Sequence, residues 1–438
     1  MFKKMLGTSI VTAFVAVAGL VAPAAAQEDD AIQYRMKAGD TLYALANDYF
    51  VSEGAALEVQ RLNRIRNARR IPVGAQIKVP RSLLRWDPVT LQIAAFAGSV
   101  SIESGGTRQT PRAGQAIARN TIVSTGAQSF ISLQGEGRTA LSLPSNSRVH
   151  IRRARRYRID NSLDVDLRVL RGRGEITAPK LEEGERFRTG TPLAVTAVRG
   201  TQFRVGYDEE RSLALTEVTE GLVEISAGGA AVSAPEGAGV ASNLGGLGRP
   251  EDLLRAPEIS DRSATQTKES VSFDVTPLDG AVAYRTQIAS DITFTDVIDE
   301  LISSDIAIEF SGIEDGRFSV RTRAIAQSGL EGFWQSEDAS FRRKRVGTSA
   351  GAEPAPFADA YKFAWVPVGS GPSYTAFQMW PKGVPEALIV DEVGLEISGL
   401  YVSDVEPGVY TWRVATWVID EGEVIKVWSE PRDLTVSE

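Results

Sequence analysis

The stretch from Tyr34 to Pro80 reads YRMKAGDTLYALANDYFVSEGAALEVQRLNRIRNARRIPVGAQIKVP, and the spacing of its apolar residues changes along its length. From Ile32 to Met36 apolar and polar residues alternate, which is typical of a half-buried strand, and Gly39 ends this pattern. The alternation returns from Ala75 to Val79. The two ends of the stretch are therefore predicted to be strands.

Between these strands the spacing is helical. Asp40 is positioned to cap a first helix, because its carboxylate can accept hydrogen bonds from the unpaired amides of the first turn. The apolar residues of this helix are Leu42, Leu45, Ala46 and Tyr49, and those of a second are Ala55, Val59 and Leu62. The predicted βααβ module is small but sufficient for a minimal core.

These residues resemble the lysin motif (LysM) family. The matching positions are Tyr34, Gly39, Asp40, Thr41, Leu42, Ala46, Tyr49, Asn63, Ile71, Gly74, Val79 and Pro80. The resemblance implies a groove for N-acetylglucosamine-containing glycan, in peptidoglycan or chitin, between the loop after the first strand and the loop before the second. The glycan-binding residues it implies are Gly39, Asp40, Thr41, Leu42, Asn63, Ile65, Arg66, Asn67 and Ile71. The alternative is that these residues only cap helices and fill the core.

The first 26 residues have the layout of a cleavable secretory signal. Lys3 and Lys4 precede an apolar run from Ile10 to Val21, and three alanines end at Ala26. We expect cleavage after Ala26 and a periplasmic or otherwise exported envelope location; an uncleaved membrane anchor is the alternative. With no Cys in the sequence, a lipoprotein is not expected.

Composition indicates several modules without disulfides. The 438 residues are too many for one core, and they include 40 Gly and no Cys. The formal charge of −8 becomes −10 when Lys3 and Lys4 are removed, which argues against nucleic acid as a partner. We predict a multidomain, mainly β protein with three or four modules.

A glycine pattern repeats after the first module. Gly98, Gly105, Gly106 and Gly114 recur 123 positions later; the second set is Gly221, Gly228, Gly229 and Gly237. A third, partial copy surrounds Gly172. Recurring strand-Gly-strand units predict a rolled sheet or a short β-solenoid.

The segment 190–205, GTPLAVTAVRGTQFRV, resembles the signature of FecR-type domains, and the resemblance covers residues 91–245. It implies the fold of a domain found in periplasmic regulators of iron-citrate transport. The membrane helix and cytoplasmic segment of those regulators are not recognisable here, so their signalling role does not transfer. For Arg199, Gly200 and Thr201 we favour a structural role, in which Gly200 permits a bend and Arg199 pairs with an acid.

The segment from Arg148 to Arg158 contains six Arg and His150, the only His. It could bind phosphate-bearing polymers, because clustered guanidinium groups bind phosphate well. We favour the alternative of a solvated strand face paired with the acidic stretch 160–166.

Two β modules are predicted at 257–345 and 357–438, after linkers at 241–256 and 347–356. The repeated pattern comprises Phe273 with Tyr284, Phe363 with Tyr374, Arg321 with Trp334, and Arg413 with Trp428. These features resemble fibronectin type III-like sandwiches, whose aromatics we expect to be core residues.

No catalytic, metal or cofactor site is predicted. His150 lies in a cationic field that disfavours an imidazolium, and Cys nucleophiles or Cys ligands are excluded. A distant carboxylate pair is the one enzymatic arrangement that composition allows. We therefore predict a non-catalytic envelope protein that binds peptidoglycan. The alternatives are a periplasmic sensor with an outer-membrane or membrane-spanning partner, and a recruiter of a separate wall hydrolase.

Overall fold

The computed structural model describes residues 30–198, 200–260, 265–335, 340–357, 360–396 and 398–437. The predicted signal segment 1–26 and Arg199 lie outside this range. The chain divides into two compact units, residues 1–84 and residues 85–438. Each unit is described by itself.

The first unit has the predicted βααβ order. Its elements are β1 Ala31–Arg35, α1 Leu42–Tyr49, α2 Ala55–Leu62 and β2 Gln76–Pro80. The two strands are antiparallel, with Tyr34 opposite Ile77. The inward residues of both strands and both helices are buried, including Ile32, Leu45 and Val59. Leu62, predicted to be apolar core, is instead 51% exposed, because it ends α2 at the surface.

The second unit begins with a β domain of short strands. Its elements are β3 Trp86–Pro88, β4 Leu91–Ala97, β5 Val100–Ser104, β6 Thr107–Gln109, β7 Ala116–Ile117, β8 Thr121–Thr125, β9 Phe130–Gln134, β10 Ala140–Leu143, β11 Arg148–Tyr157, β12 Leu163–Thr177, β13 Arg186–Gly190, β14 Val195–Val198, β15 Gln202–Asp208, β16 Leu213–Glu220, β17 Leu222–Ala227, β18 Ala230–Pro235, β19 Ala238–Asn243, β20 Gly246–Leu247 and β21 Glu251–Asp252.

These strands form a rolled sheet with two faces around one apolar core. One face has the order β6-β5-β8-β11-β12-β13-β14-β17-β18, and the other has the order β7-β4-β9-β10-β12-β15-β16-β19. The long strand β12 belongs to both faces. The predicted rolled sheet is therefore confirmed.

Strand β12 changes face at Gly172. Residues up to Arg171 pair with β11, and residues from Gly172 onward pair with β15. Gly172 has φ +69°, and a Cβ there would lie 2.5 Å from the carbonyl oxygen of Asn146. The repeated Gly98 and Gly221 occupy corresponding changes of face, from β4 to β5 and from β16 to β17. The repeated glycines thus mark the points where the chain passes from one face of the rolled sheet to the other.

The predicted linker 241–256 is wrong over much of its length. Strand β19 extends to Asn243, β20 pairs with it, and Glu251 of β21 lies opposite Gly239. Leu253 is also buried beside Leu215 and Leu330. Gly245 lies in the turn between β19 and β20, and Leu253 further along the segment covers an apolar cluster.

The basic strand β11 is neutralised by neighbouring acids. Asp166 accepts from Arg153 at 2.7 Å and Asp164 pairs with Arg155 at 2.8 Å, both across the β11–β12 ladder. Arg158 binds Asp87 of β3 at 2.6 Å. This arrangement matches the favoured interpretation of a strand face paired with the acidic stretch.

Two β-sandwiches follow. The first contains β22 Thr265–Gln266, β23 Val271–Asp274, β24 Ala281–Ala289, β25 Val297–Ser303, β26 Ala307–Phe310, β27 Gly316–Ala326 and β28 Ser340–Arg343, in sheets β22-β28-β27-β24-β25 and β23-β26. The second contains β29 Val346–Pro354, β30 Ala360–Gly369, β31 Ser373–Pro381, β32 Val390–Leu395, β33 Gly399–Ser403, β34 Gly408–Asp420, β35 Glu423–Trp428 and β36 Arg432–Val436. Its sheets are β29-β30-β33 and β32-β31-β34, with β35 and β36 both paired to β34.

The predicted aromatic core positions are buried. Phe273 and Val275 in the first sandwich, and Phe363 and Trp365 in the second, are at most 2% exposed. Rings pack edge to face, as between Phe363 and Trp412 at 5.0 Å. The predicted linker 347–356 is wrong, because most of it is strand β29, paired with β30 along its length.

The repeated Arg and Trp residues form the same contact in both sandwiches. In the first, Arg321 donates to Gln287 Oε1 at 2.7 Å and lies 4.1 Å from the centre of the Trp334 ring. In the second, the corresponding residues are Gln378, Arg413 and Trp428, with distances of 2.7 Å and 4.2 Å. The repeat therefore reflects the same Arg–Gln hydrogen bond and cation–π contact in each sandwich.

A cluster of buried and half-buried charges, the ionic joint, connects the β domain to the first sandwich. The β domain contributes Arg173, Glu175, Arg204 and Glu217, and the sandwich contributes Arg285, Glu300, Arg321, Arg323 and Glu331. Arg323 Nη1 bonds Glu175 at 2.6 Å, and the Glu331 amide donates to Glu217 at 3.1 Å. The two modules are thus held by charge-assisted bonds.

Candidate functional site: a glycan-binding module

The loop after β1 is built around an exposed glycine. Gly39 has φ +89°, and a Cβ there would meet no atom within 4 Å, so the backbone faces open space. The following Asp40 is fixed from two sides: its carboxylate accepts from the Tyr34 hydroxyl at 2.9 Å and from the Lys37 amide at 2.7 Å. The loop is therefore tied to β1 while its tip remains accessible.

The prediction that Asp40 caps the first helix is wrong. Helix α1 begins at Leu42, and its cap is Thr41, whose Oγ1 accepts from the Ala44 amide at 3.1 Å. Leu42 is fully buried. Burial and the bond to Asp40 raise the pKa of Tyr34 above its ordinary value, so this phenol stays a neutral donor. The Tyr34–Asp40 bond spans six residues, and sequence spacing alone did not indicate it.

Asn63 connects α2 to β2. Its Nδ2 donates to the carbonyl oxygens of Val59 at 2.8 Å and Lys78 at 2.7 Å, and its Oδ1 accepts from the Lys78 amide at 2.7 Å. Three bonds to the module's own backbone occupy most of the bonding capacity of this amide. The geometry therefore favours an anchoring role for the Asn63 side chain.

The rest of the second loop offers surface. Arg66 and Asn67 are exposed, and Ile65 and Ile71 are half-buried. Asn67 Oδ1 accepts from the Arg69 amide at 3.0 Å, which shapes the turn. An apolar side chain beside exposed amide and guanidinium groups can pack on a sugar face and bond its substituents.

The ends of the two loops lie side by side. The Met36 amide donates to Ala75 O at 2.9 Å, and the Gly74 amide donates to Met36 O at 2.8 Å. The loop that carries Gly39 leaves β1 directly after Met36, and the loop that ends at Gly74 enters β2. The chain thus leaves β1 for the first loop, and enters β2 from the second, at the same end of the β1–β2 pair.

The single histidine, His150, has an asparagine and arginines as neighbours. His150 Nε2 lies 3.2 Å from Asn120 Oδ1, and burial together with Arg152 lowers its pKa. Within the described ranges no group of three His, Asp or Glu side chains could hold a metal ion. Among the helices that the structure describes, none is long and apolar enough to cross a membrane.

Comparison with protein families supports two of the modules. Residues 34–80 match the family model described as LysM domain, and residues 121–224 match the one described as FecR protein. Both are families of binding or regulatory domains, and the two resemblances inferred from sequence are confirmed over these ranges. No curated protein sequence matches this chain.

Solved structures give low overall similarity. A putative anti-sigma factor from Parabacteroides distasonis ATCC 8503 is 17% identical over 30% of this chain and 59% of its own, with a TM-score of 0.26. A two-domain fibronectin type III segment of chicken tenascin is 16% identical over 43% of this chain and 100% of its own, with a TM-score of 0.22. This chain spans about three fifths of the anti-sigma factor's length.

Proposed function

We propose that this chain is an exported, non-catalytic bacterial cell-envelope protein that binds peptidoglycan through its LysM module and presents its β domains for protein contacts. The observation that carries the proposal is the LysM match over residues 34–80, which coincides with a complete βααβ fold. The supporting geometry is the accessible Gly39 turn next to a loop with exposed amide and guanidinium groups.

Within this module we assign different roles to the nine candidate residues. Backbone groups at Gly39 and the exposed Arg66 and Asn67 bond acetamido and hydroxyl groups of the glycan. Ile65 and Ile71 pack on sugar faces. The side chains that hold the groove in shape are Asp40, Thr41, Leu42 and Asn63.

The module bounds predicted from sequence are 32–81 for the LysM domain, 91–245 for the FecR-like domain, and 257–345 and 357–438 for the sandwiches. The paired strands β3 and β21 extend the FecR-like domain at both ends, and β29 extends the second sandwich. The predicted signal segment is 1–26.

The test is co-sedimentation of residues 27–438 with purified peptidoglycan sacculi. Ile71→Asp should lower the affinity about tenfold or more, because burying an Ile side chain contributes roughly 1.5–3 kcal/mol and a tenfold change in affinity corresponds to about 1.4 kcal/mol. Leu57→Asp is the matched control, since Leu57 is 47% exposed and belongs to helix α2 and to neither loop. Equal pelleting of all three proteins would contradict the assigned groove.

A version lacking residues 27–81 tests the module as a whole. Loss of pelleting supports the LysM module as the wall contact. Continued pelleting would contradict the proposal and place the contact in the β domains.

The FecR match over 121–224 favours a second candidate, a periplasmic sensor or regulatory component with an outer-membrane or membrane-spanning partner. A recruiter of a separate wall hydrolase is a third. In-cell cross-linking of the full chain distinguishes them: cross-links to an outer-membrane transporter support the sensor, and cross-links to a hydrolase support the recruiter.

A further inference from the structure

A cavity of about 310 Å³ lies between the two faces of the β domain. Its inner wall is apolar and comes from both faces of the sheet. Six of its lining side chains, each at most 6% exposed, are Leu91, Leu141, Ile151, Ala154, Leu163 and Phe187. The cavity therefore reaches into the main core of the domain.

Polar groups gather at the solvent side of this cavity. Arg156 bonds Glu136 at 3.3 Å and Glu185 at 3.5 Å, and the exposed Lys180 also lines the opening. The Glu136 side chain is 72% exposed, which places this group at the surface. The cavity thus has an apolar interior and a charged mouth.

An apolar cavity of this size favours a bound ligand over an empty interior. Protein cores are close-packed, and an apolar void forfeits the contacts of its lining atoms. An engineered apolar cavity of roughly 150 Å³ stays dry and binds benzene. A cavity about twice that size accommodates an apolar body on the order of ten carbons, and it falls at the lower end of ligand-pocket volumes.

We propose that this cavity binds a small anionic amphiphile, with its apolar chain between the sheet faces and its carboxylate at Arg156 and Lys180. Glu185 is already held by the amides of Leu163 at 3.1 Å and Glu182 at 3.0 Å. The pair between Arg156 and the exposed Glu136 is weaker, because water screens it. Arg156 can therefore exchange Glu136 for the carboxylate of a ligand. This site is independent of glycan binding by the LysM module.

The experiment measures the thermal unfolding of residues 27–438 with decanoate, decanol or decylamine. Decanoate should raise the unfolding temperature of the β domain most, decanol less, and decylamine least. Equal shifts with decanoate and decanol would overturn the assignment of the carboxylate to Arg156 and Lys180. The absence of any shift with all three would overturn the site.

Two variants with the same change test the location. Ala154→Leu fills the cavity, so it should abolish the decanoate shift without lowering the unfolding temperature of the free protein. Ala234→Leu is the control, because Ala234 is fully buried in the same core but does not line the cavity. It should lower the unfolding temperature by overpacking and retain the decanoate shift. A decanoate shift that persists in Ala154→Leu would contradict the proposal.

Discussion

At Glu331 a single carboxylate is shared by three arginines. It lies 2.8 Å from Arg173 Nε, 2.9 Å from Arg285 Nη2 and 2.5 Å from Arg323 Nη2, and the residue is 1% exposed. Arg173 belongs to the β domain, whereas Arg285 and Arg323 belong to the first sandwich. Removing one charge of such a cluster leaves its partners buried and uncompensated.

We expect Glu331→Gln to destabilise unit 85–438 by about 3–5 kcal/mol, the usual cost of breaking a buried ion pair. Urea denaturation followed by tryptophan fluorescence measures this. The control is Glu353→Gln, which removes an exposed partner of Lys362 at 3.0 Å and should leave stability unchanged. Equal stability of both variants would show that the ionic joint contributes no net stability.

Sequence reasoning did not find the ionic joint, for a physical reason. Arg171, Arg173 and Glu175 occupy every second position in β12, and Arg321 and Arg323 do so in β27, as solvent-facing charges do. Glu331 lies more than 100 positions from Glu217, to which its amide donates. Only the docking of two modules converts these apparent surface residues into buried ones.

At the scale of single elements, the glycines of the β domain differ in what surrounds them. Gly172 and Gly105 both have positive φ, +69° and +58°. A Cβ at Gly172 would lie 2.5 Å from Asn146 O and 2.6 Å from Ser147 Cα, whereas Gly105 has no atom within 4 Å of that position. A substitution at Gly105 therefore introduces backbone strain alone, whereas one at Gly172 introduces strain together with steric overlap.

Gly172→Ala should destabilise the domain well beyond the cost of strain alone, because the backbone of residues 146–147 must move. Gly105→Ala should cost only the strain of a left-handed residue, about 1–2 kcal/mol. Thermal unfolding of both variants provides the comparison. Equal losses would mean that β12 can change face without a close approach to Asn146.

The periodicity of the sequence predicted the rolled sheet but not the segments that connect the modules. The 123-residue glycine repeat correctly indicated a rolled sheet, because each glycine marks a backbone conformation that other residues avoid. Both predicted linkers were wrong, since Gly and Pro in 241–256 and 347–356 occur within or beside edge strands. Composition alone does not distinguish a flexible connection from an edge strand.

In the candidate glycan site, too, some features could be predicted from sequence and others could not. Its loops could be predicted from sequence because Gly39 and Asn63 occupy recognisable positions in the LysM pattern. The use of Asn63 as an anchor between α2 and β2 depends on bonds to Lys78, 15 residues away, which spacing did not indicate. Sequence therefore predicted which loops would form a glycan site, and the structure distinguishes supporting side chains from accessible ones within those loops.

At the scale of the whole second unit, the ionic joint makes the stability of the β domain and the stability of the first sandwich depend on pH in the same way. Burial alone would raise the pKa of Glu175, but Arg323 and Arg321 lower it from 4.5 to about 2. The pKa of Glu331 is likewise lowered, against its burial, by Arg173 and Arg285. Both carboxyls thus have a lower pKa in the folded protein than in the unfolded chain.

The resulting stabilisation is complete above pH 4.5 and is lost as the pH falls from 4.5 towards 2, because the unfolded chain binds protons first. We expect calorimetry to show the β domain and first sandwich unfolding in one transition at pH 7 and in separate transitions near pH 3.

Glu175→Gln should reduce the change in the free energy of unfolding across this pH window by about 2 kcal/mol. This value is lower than the full pKa shift would give, because the Glu175 side chain is 21% exposed. A single transition at both pH values, with an unchanged slope in the variant, would mean that contacts other than the ionic joint hold the two modules together. The apolar cluster that contains Phe130 and Phe294, and the one that contains Leu215 and Leu330, would then be the next to test.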